Sequence, residues 1–337
     1  MNPVEALREI GFLLERTRAD THRVKAYRHA ADVVSSMGET ERHDHQERRT
    51  WGKVPGIGPK TALVISQAMS GQVPDYLGKL QADKEPLTDG GAVMRSAMKG
   101  DLHVHSTWSD GGSPLEEMMI TARALGHEYC AITDHSPRLT VARGLTAERL
   151  RQQMRVVRDL QQEMAPFRTL QGIEVDILED GGLDQDDDLL AELDVVVSSV
   201  HSKLRADSES MTHRMVAAIA NPRTNVLGHC TGRLIEGERG LRPESSFDAE
   251  VVFEACRTFG VAVEINSRPE RRDPPTRLLQ LAVEMGCVFS IDTDAHAPGQ
   301  LEFQIYGCER AELAGIDPDR VINTWPVDRL LTWCATA

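Results

Sequence analysis

The sequence predicts an α/β protein: a parallel sheet of seven βα units behind a small all-α unit. Three observations carry this. Seven short apolar or β-branched runs recur after residue 100, namely 101–104, 129–133, 168–175, 194–200, 225–229, 260–266 and 287–292. Amphipathic helical stretches such as 113–125, 147–164 and 247–259 separate most of them, and this alternation is the signature of a parallel sheet. The first 80 residues show helical periodicity instead. Seven units suit a closed barrel, although a doubly wound open sheet has the same alternation.

In residues 1–50, Val4, Leu7, Ile10, Leu13 and Leu14 form one apolar stripe, and Val24, Tyr27, Ala31 and Val34 a second. Both fit short packed helices. In the following WGKVPGIGPKTALVISQAMSG, Pro55, Gly56, Ile57 and Gly58 make a tight turn and a helix is expected over 59–69. Pro59 suits its first turn and Gly71 its stop. Glycines ahead of a helix bring backbone N–H groups close to a phosphate, with Lys53 and Lys60 as counter-charges; an ordinary helix connection is the plainer reading of the glycines alone. Residues 81–99 are polar and turn-rich and read as a linker. The domain boundaries expected are therefore 1–80, 81–99 and 100–337.

Composition narrows the function. The chain has 337 residues, 40% of them hydrophobic, enough for a full core. It contains no apolar run long enough to span a bilayer and its first residues do not resemble a signal peptide, so the expectation is a cytoplasmic protein with no membrane partner. The cysteines at 130, 230, 256, 287, 308 and 334 show no C-x-x-C spacing and read as reduced, mostly core residues. The net charge of −14 is uneven: residues 1–80 carry 12 Lys and Arg against 10 Asp and Glu, and the remainder 26 against 42. Two units with different partners are implied. The acidic DQDDD at 184–188 reads as a solvated loop before a helix, and Met118, Met119, Met154 and Met164 as packing.

The chemistry gathers at the strand ends. His103, His105 and Asp110 follow the first run, Asp134 and His135 the second, and Glu174 ends the third. His201 follows the fourth and His229 ends the fifth, Glu264 and Asn266 lie on the sixth, and Asp294 and His296 follow the seventh. Any one histidine would more often be a core or surface residue; the ensemble is a ligand set for a divalent ion such as zinc, manganese or iron(II). His103 and His105, two apart on a strand, face the same side and can share one ion. Lys203, Arg233, Arg268 and Arg271 lie just beyond strand ends, where guanidinium and ammonium groups can hold phosphate. Asp134, Asn266 and Asp273 are expected to orient ligands or loops.

Two resemblances follow from these motifs. The run REIGFLLERTRADTHRVKAYRHAADVVSSM with VPGIG resembles the amino-terminal 8-kDa domain of X-family DNA polymerases, including its helix-hairpin-helix, which grips the DNA backbone. DLHVHSTWSDG, AITDHS, GIEVDI, SSVHS, GHCTGRLI, EINSRPERRDP and SIDTDAH, in that order, resemble a PHP (polymerase and histidinol phosphatase) domain, closest to that of the bacterial X-family polymerases (PolX), as does the tail VINTWPVDRLL. That resemblance implies a distorted (β/α)7 barrel holding up to three divalent metal ions (Mn, Zn or Fe). It implies the ligands His103, His105, Asp110, His135, Glu174, His201, His229, Asp294 and His296, with Glu174 as the bridge between two ions. Asp110 is the polymerase-associated form, some phosphatases having histidine there. Cys230 replaces a usual proline.

The resemblance also sets the function expected: a phosphoesterase in which water activated to hydroxide by the metals attacks phosphorus. Glu174, Arg233, Arg271 and Lys203 are the candidate catalytic and phosphate-holding groups, and Lys53, Gly56, Gly58 and Lys60 the DNA-binding ones. The linker cannot hold the nucleotidyl-transfer domains of a polymerase. The lyase lysine of the 8-kDa family aligns with Val64, so DNA binding without lyase chemistry is expected. DNA ends, gaps or nicks are the substrate expected, cleaved as a 3′–5′ exonuclease with 3′-phosphatase or abasic-site activity as options. A small-molecule phosphatase of the histidinol-phosphatase type shares every ligand but has no use for the first 80 residues. A non-catalytic DNA-binding scaffold has no need of nine such ligands. Oligomeric state is not legible.

Overall fold

The computed structural model describes residues 1–237 and 240–336. The chain divides into two compact units, Met1–Pro86 and Leu87–Ala337. No helix among the described residues is long and apolar enough to cross a membrane.

The first unit is all helical. Asn2 caps the helix Pro3–Arg16, accepting from Val4 N at 2.8 Å, and Asp20 caps Thr21–Ser36 by accepting from His22 and Arg23 N–H groups. Each cap satisfies donors the helix start leaves open. The predicted stripes turn inward: Leu7, Ile10, Leu14, Ala31 and Val34 are buried together with Trp51, Ile57 and Ile65. Pro59–Met69 is a helix with the predicted bounds. Ahead of it, Gly56 has φ +85°, and a Cβ there would lie 2.3 Å from His29 Nε2, so only glycine fits the turn.

The second unit contains seven parallel strands in sequential order: β1 (Gly100–Val104), β2 (Tyr129–Ile132), β3 (Arg168–Asp176), β4 (Val195–Ser199), β5 (Val226–Leu227), β6 (Ala262–Asn266) and β7 (Phe289–Asp292). All seven predicted runs are strands. A parallel bridge between Val104 and Ala295, with His105 N donating to Ala295 O at 2.8 Å, brings the last strand back to the first. The architecture is thus a nearly closed (β/α)7 barrel, and the doubly wound alternative falls. Helices Leu115–Ala124, Ala147–Met164 and Ala249–Phe259 lie where periodicity placed them.

Alternation along the strands decides what the barrel encloses. On β3, Ile173 and Val175 pack in the helix-side core with Leu150 and Met154, and on β6 Val263 and Ile265 do the same. Glu174 and Asp176, and Glu264 and Asn266, therefore face the interior. The carboxyl half of the interior is polar; the amino half is filled by Leu102, Tyr129, Ala131, Val195, Val197, Val226 and Ala262. The segment after Val321 plugs that apolar end: Tyr129 Oη donates to the carbonyls of Asn323 and Trp325 at 3.0 Å, and Asn323 Oδ1 accepts from Ile291 N at 2.8 Å.

The stretch 81–99 is shared between the units. Its first residues end the helix Asp75–Ala82, while Ala92–Ala97 is a helix of the barrel unit. Gly91, at φ +86°, starts that helix with its N–H on Glu312 Oε2 at 2.9 Å, and Met94 N donates to Glu312 Oε1 at 2.8 Å. A carboxylate more than two hundred residues away caps a helix too short to stand alone.

Candidate metal centre

Each ligand predicted from a strand end lies at the carboxyl rim of the barrel. His103 and His105 leave β1 fully buried. The loop then folds back tightly: Gly111 N donates to Ser106 O at 2.9 Å, and a Cβ on Gly111 would strike the Ser106 backbone at 2.6 Å. That reversal presents Asp110 to His135 (Oδ1 to Nε2, 3.5 Å) and to His296 (Oδ1 to Nε2, 3.4 Å).

Glu174 occupies the centre. Its Oε1 lies 2.9 Å from His229 Nε2 and 3.2 Å from His201 Nε2. Its Oε2 lies 2.9 Å from His135 Nδ1, 3.3 Å from His103 Nε2 and 3.5 Å from His105 Nε2. One carboxylate thus faces five imidazoles, with the two oxygens divided between them. Asp294 Oδ1 lies 3.4 Å from His105 Nε2. Among the described residues, three groups bring ligand atoms within 4.8 Å of one another: His105, Asp110, His135 and His296; His103, His105 and Asp294; and His135, Glu174 and His201. His229 joins the cluster through Glu174.

The donor set fits divalent cations. Seven imidazole nitrogens on His103, His105, His135, His201 and His229 are buried without a hydrogen bond, and those of them that face carboxylates do so at ion-pair distances without hydrogen-bond geometry. Imidazoles and carboxylates crowded in this way, with hydrogen bonds unmade, are what a cation placed among them would satisfy. The electrostatics agree. Burial disfavours the Glu174 anion, yet His103, His135 and His201 hold its carboxyl well below the usual range. Burial would depress His103 too, but Glu174 and Glu264 hold it well above the ordinary imidazole value. His201, against the same opposing burial, is raised to about 9 by Glu174 and Asp176. His105 is pushed down to about 3 by burial and by His296 and His135. A cluster that holds protons on some imidazoles and refuses them on others is one in which a cation can replace protons.

Outer groups fix the ligands. Glu264 accepts from His103 Nδ1 at 2.5 Å and from His229 N at 2.5 Å. Asp176 accepts from His201 N at 3.0 Å. Sequence alone assigns neither a role, although Glu264 and Asn266 share the interior face of β6 by the period of two. Asn266 Nδ2 donates to Asp294 Oδ2 at 3.2 Å. Asp134 takes Ser106 N at 2.9 Å and Gln153 Nε2 at 2.6 Å, pinning the loop that carries Asp110. Asp273 takes Thr231 Oγ1 at 2.8 Å beside His229. Cys230, in place of the usual proline, is buried and leaves His229 in the cluster.

The predicted phosphate-holding residues separate. Arg271 is 6% exposed, donates from Nε to Asp294 Oδ2 at 3.1 Å, and keeps a buried Nη1 without a partner. Arg268 donates from Nη1 to Asp294 O and meets His296 Nδ1, both at 3.0 Å. Arg233 turns away from the cluster: its guanidinium donates to the carbonyls of Arg271 (2.9 Å) and Arg272 and pairs with Glu244 at 3.3 Å, so it braces the loop. Lys203 is exposed on the loop after β4. Asp184, in the acidic run, is not merely solvated, since it accepts from Ser136 Oγ at 2.8 Å and Arg138 N at 2.6 Å; Asp186, Asp187 and Asp188 are nearer the surface. In the first unit, Lys53, Gly56, Gly58 and Lys60 are all exposed around the turn, while Val64 is buried.

Residues 101–268 match the PHP domain family and residues 2–72 a helix-hairpin-helix domain family. The DNA polymerase/3′-5′ exonuclease PolX of Bacillus subtilis (strain 168) is 42% identical over 226 residues, which is 67% of this chain and 39% of that one; the chain thus spans well under half the length of that relative. A probable phosphatase of Thermoanaerobacter sp. (strain X514) is 28% identical, covering 66% of this chain and 89% of its own. The histidinol phosphate phosphatase of Lactococcus lactis subsp. lactis Il1403, solved with zinc, L-histidinol and phosphate, superposes with a TM-score of 0.48 at 19% identity over 65% of this chain and 95% of that one. The chain belongs to the PHP-domain metal-dependent phosphoesterases, its barrel preceded by a helix-hairpin-helix domain.

Proposed function

We propose that the chain hydrolyses phosphoester bonds at DNA ends, as a 3′–5′ exonuclease with 3′-phosphatase or abasic-site activity as the related options. The observation that carries this reading is the joining, in one chain, of a PHP metal cluster to a helix-hairpin-helix unit whose exposed Lys53 and Lys60 flank the Gly56 turn. Up to three divalent ions, Mn, Zn or Fe, would be held by His103, His105, Asp110, His135, Glu174, His201, His229, Asp294 and His296. When bound, such ions acidify water and neutralise phosphate oxygens.

The chain's own residues do the rest. Glu174 holds five imidazoles in one orientation and divides its oxygens between the subsites. Against its burial, His105 and then Arg271 hold the Asp294 carboxyl well below the usual range, and Arg271 has Nη1 left to donate to a phosphate oxygen. Asp110 and His296, the more exposed ligands, face the entering phosphoester, with side-chain exposures of 38% and 21%. Arg268 holds His296 in place. Exposed backbone at Gly56 and Gly58, with Lys53 and Lys60, grips the DNA backbone without reading sequence.

A second reading, hydrolysis of a small phosphomonoester of the histidinol-phosphate type, is favoured by the match to probable phosphatases over nearly their whole length. The two are separated by incubating manganese-loaded protein with 3′-labelled and 5′-labelled DNA beside histidinol phosphate. Shortening or dephosphorylation of DNA is expected; phosphate release from histidinol phosphate alone would overturn the DNA reading.

A further inference from the structure

Among the described residues, six other than glycine have positive φ: Arg18, Arg49, Arg143, Lys203, Arg272 and Asp294. Side chains rarely adopt this conformation, and where they do the position is often functional. Arg18 and Arg49 come just after the helices Pro3–Arg16 and Glu39–Glu47, where a cation suits the carbonyl end. The other four all lie in loops at the carboxyl ends of barrel strands, and one of them is the ligand Asp294. The remaining three are cations from three different loops: Arg143 (φ 58°) after β2, Lys203 (φ 52°) after β4 and Arg272 (φ 45°) after β6.

All three side chains are exposed, and among the described residues none of them pairs with a carboxylate. Each is tied to the metal cluster through its backbone neighbours. Leu145, two residues after Arg143, donates its N–H to His135 O at 2.7 Å. Lys203 is two residues beyond His201. Arg272 follows Arg271, which holds Asp294. Beside Lys203 opens a cavity of about 420 Å³ whose walls include Arg205, Ser210, Arg214 and Glu179. Arg143 Nη2 donates to Thr107 O at 3.4 Å on the neighbouring loop after β1; in a barrel unit of strongly acidic composition, exposed cations without a carboxylate partner on this one rim run against the average.

We infer that the loops after β2, β4 and β6 form a cationic rim that binds the phosphodiesters flanking the one attacked, so that the substrate is a single DNA strand laid across the barrel mouth. The inference rests on the DNA-end reading above. An isolated phosphomonoester brings one phosphate, which the metal cluster and Arg271 already serve; cations spread over three separate loops are useful to a ligand with several phosphates in series. The cavity beside Lys203 and Arg205 accommodates a neighbouring nucleotide.

The test is the chain-length dependence of hydrolysis by the full, manganese-loaded protein, from a dinucleotide to a decanucleotide, with p-nitrophenyl phosphate run in parallel. In the wild type kcat/KM rises with length, and the rise shrinks as salt is added. In the triple variant Arg143→Gly, Lys203→Gly, Arg272→Gly the rise is lost and KM for the decanucleotide increases about tenfold or more, because three cations that met phosphates are removed. Glycine is chosen because it accepts the left-handed backbone, so the change removes charge without straining the fold; circular dichroism and bound-metal content check this. Should the triple variant misfold, Lys203→Gln with Arg205→Gln serves instead, lowering the slope of log KM against log salt by about 0.7 for each phosphate no longer neutralised. Oligonucleotide cleavage without length dependence in the wild type, or length dependence kept in the variants, overturns the rim alone. Hydrolysis of p-nitrophenyl phosphate with no oligonucleotide cleaved at any length overturns the DNA-end reading and the rim with it.

Discussion

Replacing Glu264 by glutamine should loosen the metal centre without removing any ligand. The carboxylate accepts on both oxygens: Oε1 from His103 Nδ1 at 2.5 Å, and Oε2 from His229 N at 2.5 Å and from Asn266 Nδ2 at 3.2 Å. An amide of the same shape keeps one acceptor and turns the other position into a donor, so one of the two short hydrogen bonds becomes donor against donor. With the amide nitrogen toward His103, the imidazole must carry its proton on Nε2, the nitrogen that faces Glu174 and any shared ion. With it toward His229, a buried backbone N–H loses its partner at a cost of about 1–3 kcal/mol. At about 1.36 kcal/mol per decade, either outcome corresponds to roughly 10–100-fold weaker metal binding, the range found for partners that orient ligands. Competition with a chelating dye measures the affinity, and imidazole 15N shifts in the zinc-loaded protein report the His103 tautomer. Affinity within about twofold of wild type, with an unchanged tautomer, would refute the assignment of Glu264 as a positioning residue.

His103→Ala combined with His105→Ala should abolish hydrolysis and bound metal while sparing DNA binding; a double variant that still hydrolyses would sink the proposed centre. Lys53→Glu with Lys60→Glu should weaken DNA binding and lower its salt slope by about 0.7–0.9 per lysine, whereas unchanged binding removes the first unit from the function. Borohydride should trap no adduct on DNA bearing a 5′-deoxyribose phosphate, because Val64 is buried and has no amine; a trapped adduct would show that another lysine does lyase chemistry. His127 is 4% exposed, with both ring nitrogens unpaired, and burial followed by Arg95 pushes its pKa down to about 3. A depressed histidine contributes stability above its unfolded value near 6.5 that is lost as pH falls toward 3, about 2 kcal/mol by pH 5. His127→Leu should therefore reduce the drop in melting temperature between pH 8 and pH 5, and an equal drop in both proteins would contradict the neutral buried imidazole.

What could be read without coordinates was whatever has a local signature. The seven strands are short apolar or β-branched runs, buried along nearly their whole length, and the helix over 59–69 is marked by its turn and stop residues; the predicted metal ligands sit at the strand ends, where a parallel barrel concentrates its chemistry. What could not be read depends on partners far away in sequence. Glu264 and Asp176 are visibly interior, but nothing local says that they face His103 and His201. Arg233 is near a strand end like Arg271, yet its donors go to carbonyls about forty residues later. The helix Ala92–Ala97 lies in a stretch composed like a linker and exists because Glu312 caps it. The fifth strand shrinks to Val226–Leu227: Gly228 N still donates to Ser198 O on β4, but the His229 N–H turns to the Glu264 carboxylate as its imidazole enters the cluster.

Composition alone would argue against a polyanionic substrate, since residues 81–337 carry 26 basic against 42 acidic side chains. Burial changes that count. Asp101, Asp134, Glu174, Asp176, Glu264, Asp273, Asp292 and Asp294 are all buried, against three buried arginines of the same unit, Arg214, Arg268 and Arg271. About a third of the excess acid is thus interior, where it faces histidines, backbone N–H groups and the expected cations. Of the acid left outside, part is gathered after β3, where Asp180, Asp187 and Asp188 are at the surface, while Glu179 shares a cavity with Lys203, Arg205 and Arg214, which outnumber it there. Charges farther than about 10 Å from a bound strand are largely screened at about 0.1 M salt, whereas a phosphate at a rim arginine is in contact. The sign that matters for substrate is therefore set loop by loop, and the loops after β2, β4 and β6 present Arg138, Arg143, Lys203, Arg205 and Arg272.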